Sequence, residues 1–541
     1  MKFNKKLCIY LSIIILISLI LKIYTTDFSI PVNSDNLVYA LNAISYKNGD
    51  FSQLSDRSSG WSFFLYPFFY FLNSDNFFDY SNLARILSIG ISCISIPAVY
   101  LLGKKFFNEK YSLIVASLFA FEPHLNYNSG FGLSEPLYNL AIILMFYFIL
   151  NKNTKYVIPS MFMAGIVWWA RINGLLMIAV ISIVYFITFR NSKNLLRNYG
   201  LGVLVLLLII SPILIQRYIQ YGDPLYYLYS DNIFAGNLEK TLSINAQNTS
   251  SSAFDYIDKN GLVSFIDNFI LHGIYNLFST LIRILVPYLF ILIPFGILFS
   301  FWKSEQNTNY IKSVWIFIVI SLTVTIITFS VVNERRFLYY LFPFFSIIGT
   351  ITIHKVTEHG LNIFSFSTKQ KNLFLVMVIG LIIIMSGLFT ILQYGRPDTT
   401  LEHEKIEFAQ YLTNNLHGNL LDESGIALDY VKYSQITASS TGFQNYKINS
   451  DTLSKTDSLH TIRLYAESMD ELISVGESYN LKYIVSNEKS GFFHPYTDHV
   501  YNHEDDYPYL HKIFDSNENK FKKLKVKVFE IDYNKFHQND E

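Results

Sequence analysis

The sequence predicts an α-helical polytopic membrane protein with a small α/β domain at its C-terminal end. Three observations carry this. The 541 residues are 51% hydrophobic and only 16% charged, against roughly 25% charged in a soluble domain. Apolar runs of about 20 residues, the length that crosses a bilayer, recur through residues 1–395. From about Pro397 the pattern turns amphipathic. Net charge is zero, so nothing in the bulk charge points to nucleic acid.

The first apolar run follows Lys2, Lys5 and Lys6 and looks like a signal peptide. No small-residue cleavage site follows at Lys22-Ile23-Tyr24, so a retained helix is expected. About eleven spans are predicted, over 7–24, 82–102, 111–126, 134–150, 157–170, 174–190, 199–216, 279–302, 312–331, 338–354 and 372–393. The stretch 61–72 is short, begins at Gly60-Trp61 and contains Pro67; it is predicted to lie in the membrane interface. Cys8 and Cys93 both fall in apolar runs and have no disulfide or metal-ligand spacing.

Lysine and arginine placement sets the expected orientation. Short loops assigned inside carry Lys104, Lys105, Lys110, Lys152, Lys155, Lys193 and Lys369. Short loops assigned outside carry only Arg171, Arg335 and Arg336 as cations. The N-terminus is therefore expected in the cytoplasm of a plasma-membrane protein, with 25–81, 217–278 and the tail outside. In the tail, Thr399-x-x-Glu402 and Ser468-x-x-Glu471 are predicted capping boxes opening two helices. Leu481–Val485 and Leu524–Ile531 are predicted strands. The expected division is 1–395 and 396–541.

Charged residues gather on the outer side. Asp35, in Asn33-Ser34-Asp35-Asn36, fits a general base that deprotonates a hydroxyl or amide. It also fits a helix cap; both readings stay open. Glu122-Pro123-His124 and Ser134-Glu135-Pro136 flank two spans. Glu122 and His124 could shape a site or hold a divalent cation on phosphate oxygens. Glu135 also suits a first helical turn. Arg57, Arg171, Arg335 and Arg336 oppose the positive-inside pattern. Arginine's planar fork suits phosphate, while snorkelling or pairing with Glu334 are the competing roles. Together, four outer arginines favour an anionic ligand.

These motifs resemble the GT-C glycosyltransferase superfamily. The resemblance rests on the acid after the first span, Arg57-Ser58-Ser59-Gly60-Trp61, Leu133-Ser134-Glu135-Pro136-Leu137, Arg171-Ile172-Asn173-Gly174, and Glu334-Arg335-Arg336-Phe337-Leu338 running on to Leu341-Phe342-Pro343. It is nearest to the branch of protein O-mannosyltransferases and the lipid A aminoarabinose transferase, and covers roughly residues 1–395. It implies a polyprenyl- or dolichyl-phosphate sugar donor, a glycan, lipid or protein acceptor, and inverting transfer at the outer face. It also implies that Asp35 matches the family's catalytic acid. Many relatives carry two adjacent acids where this chain has Ser34-Asp35. The Trp-Trp-Asp signature of oligosaccharyltransferases is absent, since Ala170 follows Trp168-Trp169. A transporter or lipid flippase, expected to carry charges midway through its spans, and a non-catalytic surface assembly protein are the competing classes.

Overall fold

A computed structural model describes residues 5–32, 34–52, 59–72, 74–171, 174–226, 233–235, 239–240, 243–245, 252–301, 308–395, 398–422, 425–438, 443–448, 458–488, 494 and 496–539. Arg57 and the sequon at Asn248 lie outside the described residues.

Helices dominate. They are α1 (Lys5–Thr25), α2 (Ser34–Lys47), α3 (Gly60–Phe71), α4 (Phe77–Gly103), α5 (Glu109–Ala120) and α6 (Pro123–Ser129). Next come α7 (Glu135–Ile149), α8 (Val157–Ala170), α9 (Gly174–Phe189) and α10 (Leu195–Tyr221). Among the described residues, six helical segments are long and apolar enough to cross a membrane: α1, α4, α10, Tyr310–Val331, Arg335–Ile363 and Thr368–Asn415. The 21 residues of α1 reach about 32 Å at 1.5 Å per residue, enough for a hydrocarbon core of roughly 30 Å.

The expected count of eleven is thus met by full-length helices at six positions. The other five predicted spans hold shorter or broken helices. Span 111–126 breaks at Glu122-Pro123 into α5 and α6. Spans 134–150, 157–170 and 174–190 are α7, α8 and α9, of 15, 14 and 16 residues. Span 279–302 falls on two helices, Leu262–Leu285 and Leu289–Ser300, bent by 109° around Pro287, which cannot donate to a helical ladder. The interfacial stretch is a helix as expected, but only half of it faces out. Phe63, Phe68, Tyr70 and Phe71 are exposed, while Trp61, Leu65 and Phe69 are fully buried.

The C-terminal part forms a five-stranded mixed sheet, ordered β2-β1-β3-β5-β4. The strands are β1 (Gly418–Asp422), β2 (Leu459–Ile462), β3 (Leu481–Asn487), β4 (Leu510–Asp515) and β5 (Val526–Ile531). β1 pairs parallel with β2 and β3; β5 pairs antiparallel with β3 and β4. Both faces are covered, which explains why β5 buries side chains on both sides. Val526 and Val528 join one cluster, Phe529 and Ile531 another. Ser468 caps its helix as expected, accepting from the Glu471 amide at 3.2 Å. At the other predicted box the cap is Asp398, not Thr399: a carboxylate one residue earlier reaches the Leu401 amide at 3.4 Å.

The first of those clusters runs from the sheet into the membrane bundle. It includes Leu37, Leu41 and Ile44 of α2, Trp61 of α3, Phe77 of α4, and Phe408, Tyr433 and Phe443 of the C-terminal part. Phe77 stacks near Phe443 and Tyr433, with ring centroids at 4.8 and 5.6 Å. Asn48, just past α2, donates to the carbonyls of Gln444 and Tyr446 at 3.1 and 2.9 Å. α2 is thereby fixed between bundle and sheet.

Candidate functional site

The loop before α2 is built to place Asp35. Asp27 accepts from the Ser29 amide and hydroxyl at 2.7 and 2.6 Å, turning the chain after α1. The first turns of α4 then grip residues 28–32. Asn82 donates to the Phe28 carbonyl at 3.1 Å, and Arg85 to the Ile30 and Pro31 carbonyls at 2.6 and 3.3 Å. The Val32 amide donates to the Ser81 hydroxyl at 2.8 Å. Asp35 follows in the first turn of α2, and Asn36 donates to the Phe131 carbonyl.

The opposite wall is set by close packing. A Cβ on Gly60 would lie 2.5 Å from the Trp169 carbonyl, so only glycine lets α3 approach the end of α8. Trp61 Nε1 then donates to the Gly132 carbonyl at 2.6 Å, holding the turn before Glu135. A Cβ on Gly174 would lie 2.4 Å from the Trp168 Cα; the chain doubles back tightly here, which leaves Arg171 at the end of α8.

Five of the charged candidates meet here. The Asp35 carboxylate accepts from Arg336 at 2.8 Å. Arg336 also pairs with Glu334 through Nε, and its Nη1 lies 4.0 Å from Glu135. Glu135 accepts from Arg171 at 2.9 Å. Both guanidiniums lie over the Phe337 ring, at 4.9 and 5.8 Å from its centroid. The side chains of Asp35 and Arg336 keep 32% and 24% of their accessible surface. Glu135 is buried, and its Oε2 has no hydrogen-bond partner among the described residues.

Two members were missed by sequence reasoning. Tyr39 lies one turn from Asp35 on the same face of α2, and Asp35, Arg171, Glu135 and Arg336 all act on it. Burial first, then Asp35, push its hydroxyl up to about 12, so at neutral pH it is a hydrogen-bond donor. The signal was the i, i+4 spacing. Phe337 was quoted within a motif but given no role; its signal is adjacency to Arg336.

The remaining candidates lie on the other side of the Arg335–Leu341 turn, which is a 3₁₀ helix. Adjacent side chains diverge on so tight a turn. Arg335 lies beside His124 and within hydrogen-bonding reach of Tyr394. His124 pairs with the Tyr394 hydroxyl through Nδ1. Glu122 caps α6, accepting from the Leu125 amide at 3.0 Å. Lys22 donates to Asn126 at 2.6 Å in the same region. Glu122 and His124 thus serve different partners. The one group of three metal-type ligands found among the described residues lies elsewhere, in the C-terminal part. At the Asp35 cluster, guanidiniums occupy the space between the carboxylates, an arrangement that does not fit a metal.

No protein-family model matches the chain, and no curated protein matches it in sequence. Solved structures do match in fold. The Archaeoglobus fulgidus oligosaccharyltransferase AglB, in complex with an inhibitory peptide and a dolichol-phosphate, superposes with a TM-score of 0.56 at 11% identity, over 89% of this chain and 69% of that one. The same enzyme with zinc and sulfate gives 0.56 at 12% identity, over 91% and 71%. ArnT from Cupriavidus metallidurans bound to undecaprenyl phosphate gives 0.51 at 11% identity, over 96% and 97%. The chain therefore has the fold of the GT-C membrane glycosyltransferases.

Proposed function

We propose that the chain is an inverting membrane glycosyltransferase. It moves a sugar from a polyprenyl- or dolichyl-phosphate donor to an acceptor at the outer face of the membrane. The observation that carries this is the Asp35–Arg336 pair within a ring of carboxylates and guanidiniums. That ring sits where helix ends gather, in a fold shared with proteins whose structures hold dolichol-phosphate and undecaprenyl phosphate.

Charge arithmetic constrains the mechanism. Asp35, Glu135 and Glu334 bring three negative charges, and Arg171 and Arg336 two positive ones. With all five ionised the sum is −1, so an anionic donor phosphate enters by exchanging with a carboxylate. Asp35 and Glu334 are the partly exposed carboxylates, and Asp35 is the one proposed to swing away. In the proposed reaction the donor phosphate takes the Arg336 guanidinium and Arg171 supports it, their planar forks matching its oxygens. The carboxylate of Asp35, released from its ion pair, accepts the acceptor's proton. The acceptor atom bonds to the anomeric carbon, the bond from that carbon to the phosphate oxygen breaks, and the lipid phosphate leaves with the electron pair. One displacement inverts the anomeric centre. Arg171 and Arg336 stabilise the charge gathering on the leaving group. Tyr39 and Glu135 Oε2, which has no hydrogen-bond partner among the described residues, are proposed to hold sugar hydroxyls.

Residues 1–395 are proposed as the catalytic part, with the N-terminus in the cytoplasm. The C-terminal part is proposed to lie outside, since it packs on α2, the helix that opens with Asp35, through contacts at Ser45 and Asn48. The transporter reading expects charge midway through the spans. Among the buried cations, Lys22 and Arg217 lie within two turns of the ends of α1 and α10, Arg85 lies in the third turn of α4, and Lys355 is the last residue of the helix Phe342–Lys355. The test is incubation of purified protein with labelled polyprenyl-phosphate sugars and membrane extract. Transfer of label with release of lipid phosphate supports the enzyme. Movement of intact donor between leaflets without release would establish the transporter instead.

A further inference from the structure

A second cluster, separate from Asp35, lies on the C-terminal part. His499 and His503 stand four residues apart, on one face of the short helix Thr497–Asn502 and its cap. Asp506 comes from the 3₁₀ turn Glu504–Asp506 that follows. The ligand atoms of all three lie within 4.8 Å of one another. The two imidazole rings are 4.5 Å apart, centroid to centroid.

The hydrogen bond at His499 accommodates the metal-binding tautomer. Its Nδ1 lies 3.1 Å from the Tyr507 hydroxyl. The tautomer that donates Nδ1–H to this oxygen leaves Nε2 as a lone pair. That lone pair faces Asp506 Oδ2 at 3.8 Å. Two acceptors facing each other repel, and 3.8 Å is too long for a hydrogen bond. A cation between them resolves both problems. Zinc–ligand bonds of roughly 2.1 Å put tetrahedral ligand atoms about 3.4 Å apart, so closure needs only a small side-chain rotation. All three residues are exposed and free to make it. Tyr507 then plays the outer partner that orients a ligating imidazole. Glu504 is not a fourth ligand, because Lys512 and Lys527 hold it at 2.9 and 3.4 Å. The fourth position is open to water.

We propose that His499, His503 and Asp506 form a zinc site that ties the helix Thr497–Asn502 to the turn after it. The contrast with other exposed histidines supports this. His511 and His537 each face a carboxylate, Asp532 at 3.6 Å and Glu477 at 3.2 Å, and belong to no group of three ligands among the described residues.

The test uses the full-length protein in detergent, stripped with chelator and then equilibrated with zinc chloride. Bound zinc is counted by mass spectrometry, and affinity is read against a fluorescent chelator. Wild type should take up one equivalent. The pair His499→Ala/His503→Ala should lose it, and the pair His511→Ala/His537→Ala should keep it. Tyr507→Phe should bind about 10-fold more weakly, as loss of an outer partner does. Far-UV circular dichroism checks the fold of each variant. No stoichiometric uptake by wild type, unchanged uptake in the first pair, or unchanged affinity in Tyr507→Phe would each overturn the site.

Discussion

The two sides of the Arg335–Leu341 turn carry the same kinds of residue and use them differently. On one side Asp35, Glu135, Glu334, Arg171 and Arg336 form a connected network in which Asp35, Glu334 and Arg336 stay partly exposed. On the other, Glu122, His124 and Lys22 are buried to within 2%, each held by a fixed partner: a helix amide, a tyrosine hydroxyl, an asparagine. In the proposed function, charges in the first group exchange partners with an incoming anion. Charges in the second are ties that hold helices together. Residue type alone does not separate a reactive group from a structural one; exposure and the freedom to exchange partners do.

Substitutions separate the two sides. Asp35→Asn keeps size but removes the proton acceptor, and turnover should fall about 10²–10⁴-fold, read as lipid phosphate released per folded protein. Arg336→Lys keeps charge but loses the fork, so donor use should weaken about 10–100-fold, the size of one or two charged hydrogen bonds. Arg335→Lys, on the structural side, should change donor saturation far less. Glu122→Ala removes a helix cap and should cost about 1 kcal/mol of stability in a detergent melt, with turnover per folded molecule retained. Loss of turnover in Glu122→Ala without loss of stability would erase the distinction between the two sides.

The smallest effect is in the C-terminal part. Glu404 accepts from the amides of Lys522, Lys523 and Leu524 at 2.8–2.9 Å. Burial pushes its carboxyl up, but the three amides pull it further down, and the net direction is below the usual range. A folded value below the unfolded one, about 4.3, stabilises the fold fully above that pH. The stabilisation is lost as pH falls through the lower folded value. Glu404→Gln should flatten this part of the acid melting curve; an unchanged acid limb would remove the assignment.

Much of this was legible in the sequence, for particular reasons. The six full-length membrane helices follow from long apolar runs. Asp35, Glu135, Arg171, Glu334 and Arg336 were picked out by charge in loops where charge is disfavoured, and the structure brings those five together. Glu122, His124 and Arg335 carried the same signal and lie apart from them. Loop charge reports which end of the bundle a residue occupies but not which way a tight turn aims it, so Arg335 and Arg336 could not be separated. The short helices α7, α8 and α9 read as spans because hydropathy does not register where a helix stops. The burial of α2 between bundle and sheet was invisible, since it depends on contacts such as Phe77 to Phe443, over 360 residues apart in sequence. Arg57 lies outside the described residues, and its role remains the proposed one.

The central claim is that donor phosphate and Asp35 compete for Arg336. Donor saturation of Asp35→Asn tests this most directly, with turnover and apparent donor affinity measured on the same preparation. Removing the competing carboxylate should leave donor affinity equal to wild type or tighter, while turnover collapses. Donor affinity lost together with turnover would mean that Asp35 holds the donor rather than yielding to it, and turnover near wild type would remove Asp35 from the chemistry.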